Sequence, residues 1–182
     1  MCGTKFDIAK IEGDFYNIES PEINVDSIIN IIIDNISSVD VKINIMDRSF
    51  PPAVEQKINH NLLKSKRRIV LHYKSYSSHI ETAYYIADKS IVNGKQNAMF
   101  LLNEMYCLSL EKYEIDAFKP DINQIRQHAD DIIGDVINQL KKFVYKSANV
   151  TNFKEQIEIG VSVVVAHAFV ECFILENPNA TN

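Results

Sequence analysis

Cysteine is scarce in this sequence. The three present, Cys2, Cys107 and Cys172, are scattered without metal-ligand spacing, which excludes a zinc or disulfide framework. Cys107 and Cys172 fall inside apolar helical patterns, where buried free thiols are expected, as suits a reducing cytoplasm. Positive charge is also short: 19 Lys and Arg against 24 Asp and Glu leave a net charge of -5, which argues against general affinity for nucleic acid. There is no glycine loop to cradle phosphates, no nucleophile elbow, no internal repeat and no low-complexity tract. The first residues, Met-Cys-Gly-Thr-Lys-Phe-Asp, lack the basic and apolar regions of a secretion signal, so a cytoplasmic location is expected.

What the chain does have is core-forming material, with 46% of its 182 residues hydrophobic, enough for one globular unit. The stretch from Phe153 to Pro178 is a near-continuous apolar run long enough for about five helical turns. Its polar breaks do not share a face: Glu158 and Ser162 lie together, while His167 and Glu171 fall on roughly the opposite side. A helix patterned in this way needs protein all round it. Glu158, His167 and Glu171 would each be expensive in hydrocarbon, and neither end carries basic anchors, so a central core helix is expected rather than a membrane span. Val164 and His167 belong to that core, with His167 and Glu171, four residues apart, expected as a buried pair.

Earlier in the chain, Phe6, Ile8, Ile11, Phe15 and Ile18 are spaced like one or two short strands, with Gly13-Asp14 as a turn. Asp26 can cap a short helix over Ser27 to Ile36, although that isoleucine-rich run also reads as a buried strand. Val39, Val41, Ile43 and Ile45 alternate with polar residues, the period of a strand with one buried face. Pro51-Pro52 forbids continuation of either element and marks a boundary.

Beyond it the pattern is helical. A short helix from Ala53 to about Leu63 precedes longer ones from about Lys66 to Val92, Gln96 to Phe118, and Asp121 onward. Asn93-Gly94 acts as a cap between two of them, and Asp121 with Gln124 forms a capping box. Short connections favour antiparallel neighbours. The expected fold is therefore mainly α, an antiparallel helical bundle over 51–182, with a small α+β segment over 1–50. So few strands are marginal alone and present open edges, so residues 5–46 are expected to mediate self-association or docking.

Three clusters could carry chemistry. Arg67 and His72 are five residues apart, similar to the Arg-x4-His spacing of HEPN ribonucleases, an all-α family that cleaves RNA without a metal. Lys64, Lys66, Arg67 and Arg68 make a basic run that could touch phosphates, but such a run is more simply a solvated helix start. His128, Asp131 and Asp135 lie at helical spacings that put metal ligands on one face. No second element supplies the remaining ligands, so a charged outer face is the simpler reading, and no metal or cofactor is expected.

Three stretches together resemble a known family. They are Val54 to Leu62 (Val-Glu-Gln-Lys-Ile-Asn-His-Asn-Leu), His128 to Ile133 (His-Ala-Asp-Asp-Ile-Ile) and Ala168 to Pro178 (Ala-Phe-Val-Glu-Cys-Phe-Ile-Leu-Glu-Asn-Pro). In that order they look like the C-terminal domains of the ABC-three-component systems, predicted bacterial conflict and antiphage systems. The likeness covers roughly residues 52 to 178, and a basic residue is the family expectation where Phe173 stands. The resemblance implies a helical, non-catalytic module that recognises a partner or trigger. No large effector domain precedes it in this sequence, so the expectation is an adaptor or sensor subunit acting in trans. Its protein partner would be an ATPase or effector from the same operon, and a homo-oligomer is compatible with the same reading.

Overall fold

The computed structural model describes residues 25–41 and 49–179. Among these residues the fold is all helix: α1 (Ile28–Ser37), α2 (Pro52–His60), α3 (Arg68–Ser90), α4 (Gly94–Lys112), α5 (Ile122–Tyr145) and α6 (Lys154–Val170). The strands expected between Lys5 and Glu19 lie outside the described residues. So does most of the one expected from Val39 to Ile45, whose described part, Val39 to Val41, forms no strand.

The isoleucine-rich run resolves as helix. Ile29, Ile32, Ile33 and Ile36 are all buried, and their spacing of three and four builds one continuous stripe. Ser27, rather than Asp26, is the N-cap, its hydroxyl accepting from the Ile29 N–H at 3.1 Å. α1 packs against α3 and α6, in the same core as the helices beyond Pro51-Pro52. Its start is held by the α5–α6 connection: the Asn149 side chain accepts from Ser27 N–H at 2.8 Å and donates to Ser27 carbonyl oxygen at 3.0 Å.

α6 is the centre, touching α1, α3, α4 and α5. Residues Val163 to Phe169 are buried without interruption, as expected of a helix apolar on every side. Gly160 lets α1 come close to α6: a Cβ there would stand 2.7 Å from Ile33 Cγ2. α4 and α5 run antiparallel, since Gln139 donates to the Met105 carbonyl while Lys112 pairs with Asp135, so one helix ascends as the other descends.

Helix ends differ from expectation in an informative way. Gly94 is no left-handed cap; it is the first residue of α4, where a Cβ would meet Ala87 O at 2.7 Å, and Asn93 takes the positive φ of 60° instead. α4 stops at Lys112 rather than Phe118, and α6 at Val170 rather than Pro178. In each, and in α2, the chain turns through a non-glycine residue in left-handed conformation: Leu62, Glu114 and Cys172. Paired backbone hydrogen bonds close these turns, as in Phe173 N–H to Ala168 O and Cys172 N–H to Phe169 O after α6. No helix among the described residues is long and apolar enough to cross a membrane.

Candidate functional site

The turn that ends α6 folds Ile174 and Leu175 back into the core, which would strand the last carbonyls of the helix away from water. Lys57, from α2, supplies the donors. Its ammonium reaches Phe169 O at 2.5 Å and Ile174 O at 3.1 Å, and lies 4.7 Å from the centre of the Phe169 ring. Lys57 is 3% exposed. Burial holds its pKa below the ordinary lysine value, against the opposing pull of Cys172 and Glu176. The negative end of the α6 dipole, two carbonyls and a π face all favour the charged form locally.

One helical turn on, Asn61 is fully buried and reads the backbone of Glu176 in both directions. Its amide donates to Glu176 O at 2.8 Å, and its oxygen accepts from Glu176 N–H at 3.0 Å. The Glu176 carboxylate then accepts from Tyr106 OH at 3.2 Å, and Asn103 donates to Phe173 O at 2.8 Å. The first and third of the motif stretches are thus one structure, a polar clamp between α2 and the end of α6.

The middle stretch fastens the other side of α2. Asp130 accepts three backbone N–H groups, from Lys64, Ser65 and Lys66, at 2.9 to 3.1 Å. Burial would raise its pKa, but these three donors outweigh it and the carboxyl stays below its usual range. Arg126 adds a bond from Nε to His60 O at 2.7 Å. The α2–α3 turn is pinned to α5, and beside it opens a groove of about 390 Å³ lined by Ile58, Asn59, Leu62, Leu63, Lys64 and Arg67.

The expected site residues are not gathered in one place. Arg67 is the N-cap of α3 and lines the groove, while His72 is exposed farther along the helix. Five residues rotate a helix by about 140°, so the two side chains leave from different sides. The His72 pKa is lowered by desolvation first and by Arg68 second, which leaves the imidazole neutral near pH 7. His128 stacks on Tyr113 with ring centroids 4.6 Å apart, Asp135 pairs with Lys112 and accepts from Tyr113 OH, and Asp131 is exposed. Among the described residues no group of three or more His, Cys, Asp or Glu side chains could hold a metal ion.

Val164 and His167 are fully buried, as core residues should be. Glu171 is not: it forms the exposed C-cap of α6, because the helix ends before carrying it inward, and the expected pairing with His167 does not occur. His167 instead lies among Tyr73, Tyr84 and, at 3.8 Å, Glu81. Neither ring nitrogen has a hydrogen-bond partner, and burial, with Lys95 close by, lowers its pKa to about 4 despite Glu81. The thiols also differ from expectation, Cys107 being half-buried and Cys172 exposed at the left-handed turn.

Sequence reasoning named Lys57, Asn61 and Asp130 only as letters of a motif, yet a signal was present. Val54, Lys57, Ile58 and Asn61 occupy one helical stripe, so two polar side chains stand where apolar ones would face the core. A lysine and an asparagine on a buried stripe need backbone partners.

No curated protein and no solved structure matches the chain. One family does, over residues 24–176, which include α1, the first two motif stretches and the third as far as Glu176. Its matched range ends at Glu176, the residue held by Asn61 and Tyr106. Such domains are components of systems with several parts, and protein partners come with that setting. The chain belongs to C-terminal domain 10 of the ABC-three component systems.

Proposed function

We propose that this chain is a non-catalytic adaptor or sensor of a bacterial conflict system, acting in antiphage defence through protein contacts in the cytoplasm. The observation that carries this reading is where the motif side chains direct their polar atoms. Lys57, Asn61 and Asp130 all bind the protein's own backbone, holding α2 and its turn in a fixed shape. Side chains committed to backbone in this way preserve a surface and leave little to act on a substrate. The docking or self-association element expected over residues 5–46 is proposed here for its part before α1, since α1 itself packs in the core. Removing residues 1–24 leaves α1 in the core, whereas a chain beginning at Ala53 loses it.

The test is co-purification of the tagged chain with the products of neighbouring genes, beside incubation of the pure chain with single-stranded RNA. Association with an ATPase or effector and intact RNA are expected. RNA cleavage abolished by His72→Ala or Arg67→Ala would replace the adaptor with a HEPN-like ribonuclease. Light scattering on the chain lacking residues 1–24 checks the assembly element. An unchanged mass together with an unchanged partner would remove it.

A further inference from the structure

We infer that the groove beside the α2–α3 turn docks an acidic, apolar segment of a partner protein. This rests on the interaction reading above and gives it a surface and a chemistry. The floor is apolar, formed by Ile58, Leu62 and Leu63, and the rim carries Lys64 and Arg67. Leu62 is 51% exposed and held at φ 52°, a conformation that disfavours side chains bearing a Cβ. Glycine or asparagine would end α2 at less cost, so a leucine presented to solvent there is better explained by what it contacts than by the turn.

The rim is also built in advance. Asp130 consumes the backbone donors of Lys64, Ser65 and Lys66, which fixes the path of the turn. Among the described residues no carboxylate pairs with the side chains of Lys64 or Arg67. In a chain of net charge -5 this leaves a local positive site beside an apolar slot. A carboxylate-bearing segment with one apolar side chain satisfies both, the charges steering and the slot supplying burial. Nucleic acid fits less well, since the lining offers no aromatic ring for a base to stack on.

The experiment selects binders to the full chain from a displayed library of random peptides and measures them by fluorescence polarisation. Enrichment of Asp or Glu near Leu, Ile, Phe or Met is expected, with binding that weakens as salt rises. The double variant Lys64→Glu, Arg67→Glu should lose about tenfold or more in affinity while keeping its melting temperature, and Glu111→Lys on α4 should lose none. Absence of enrichment, or binders indifferent to the double variant, would overturn the inference. So would a groove that the double variant shows to hold a single-stranded oligonucleotide, residues 1–24 of this chain, or a second copy. If neighbouring gene products still co-purify with the double variant, the groove fails while the adaptor reading stands. If nothing co-purifies with the unaltered chain, that reading fails by itself.

Discussion

Two basic side chains are buried close to the last turns of α6, and they are treated in opposite ways. Lys57 is supplied with two carbonyls and a ring face, whereas His167, fully buried, has no hydrogen-bond partner for either nitrogen. The difference follows from position along the helix. At its C-terminal end α6 has carbonyls without intrahelical donors, and the chain that folds over them shuts out water, so a cation from a neighbouring helix completes them. One turn earlier, every backbone group is already used within the helix. A polar ring there finds aromatic neighbours, Tyr73 and Tyr84, and survives by staying neutral.

The most severe way to break this comparison is to bury a charge that has neither remedy. Val164 is fully buried one turn before His167, and Val164→Asp should cost about 4 kcal/mol or more, enough to prevent folding. Loss of the cooperative thermal transition checks it, and an unchanged melting temperature would reject the central position of α6. Next comes Lys57→Met, which keeps the apolar stem but strands the Ile174 carbonyl and leaves Phe169 O with only its backbone donor, Cys172 N–H. The expected loss is about 3 kcal/mol by urea denaturation. Were the clamp ornamental, methionine would be neutral at this site.

His167 sharpens the comparison through pH. Its folded pKa, about 4, lies below the ordinary histidine value of 6.5, so the unfolded chain binds the extra proton first as acid is added. Its contribution is complete above about pH 6.5 and is lost as pH falls toward about 4, on the order of 3 kcal/mol over that window. The variant His167→Leu removes the titrating group. Stability measured from pH 7 to 4.5 should then fall less steeply than in the unaltered chain. Equal slopes would mean that the protonated ring finds an ionised partner on acidification, Glu81 being the nearest carboxylate.

The sequence made the helices legible because their stripes obey one period, and Ile29, Ile32, Ile33 and Ile36 needed only the choice between helix and strand. It also pointed to α6 as the centre, since a run apolar on all sides has no solvent face. What stayed hidden were the ends. The turns after α2, α4 and α6 use leucine, glutamate and cysteine where glycine is the usual sign, so the helices read longer than they are. That one misjudged end moved Glu171 from the core to the surface. The clamp was hidden for a different reason: its partners are backbone atoms of distant residues, and no side-chain pattern announces where a carbonyl will be left without a donor.

These same turns provide the finest test of how a helix end is stabilised. Glu114 closes α4 at φ 58° and is exposed, while the following Ile115 is buried against the core. A Cβ in that conformation costs on the order of 1 kcal/mol, part of which glycine returns by losing more entropy on folding. Glu114→Gly should therefore stabilise the fold by about 0.5 kcal/mol. Cys172→Gly meets the same backbone geometry, φ 63°, but at the end that Lys57 and Asn61 brace. The backbone gain there is the same, yet removing the thiol also removes a group that helps Lys57 keep its proton. Glycine should thus gain less at Cys172 than at Glu114, a difference readable in paired urea midpoints. Equal gains would show that the thiol contributes nothing to the clamp, and a loss at Glu114 would show that its left-handed turn carries no strain to relieve.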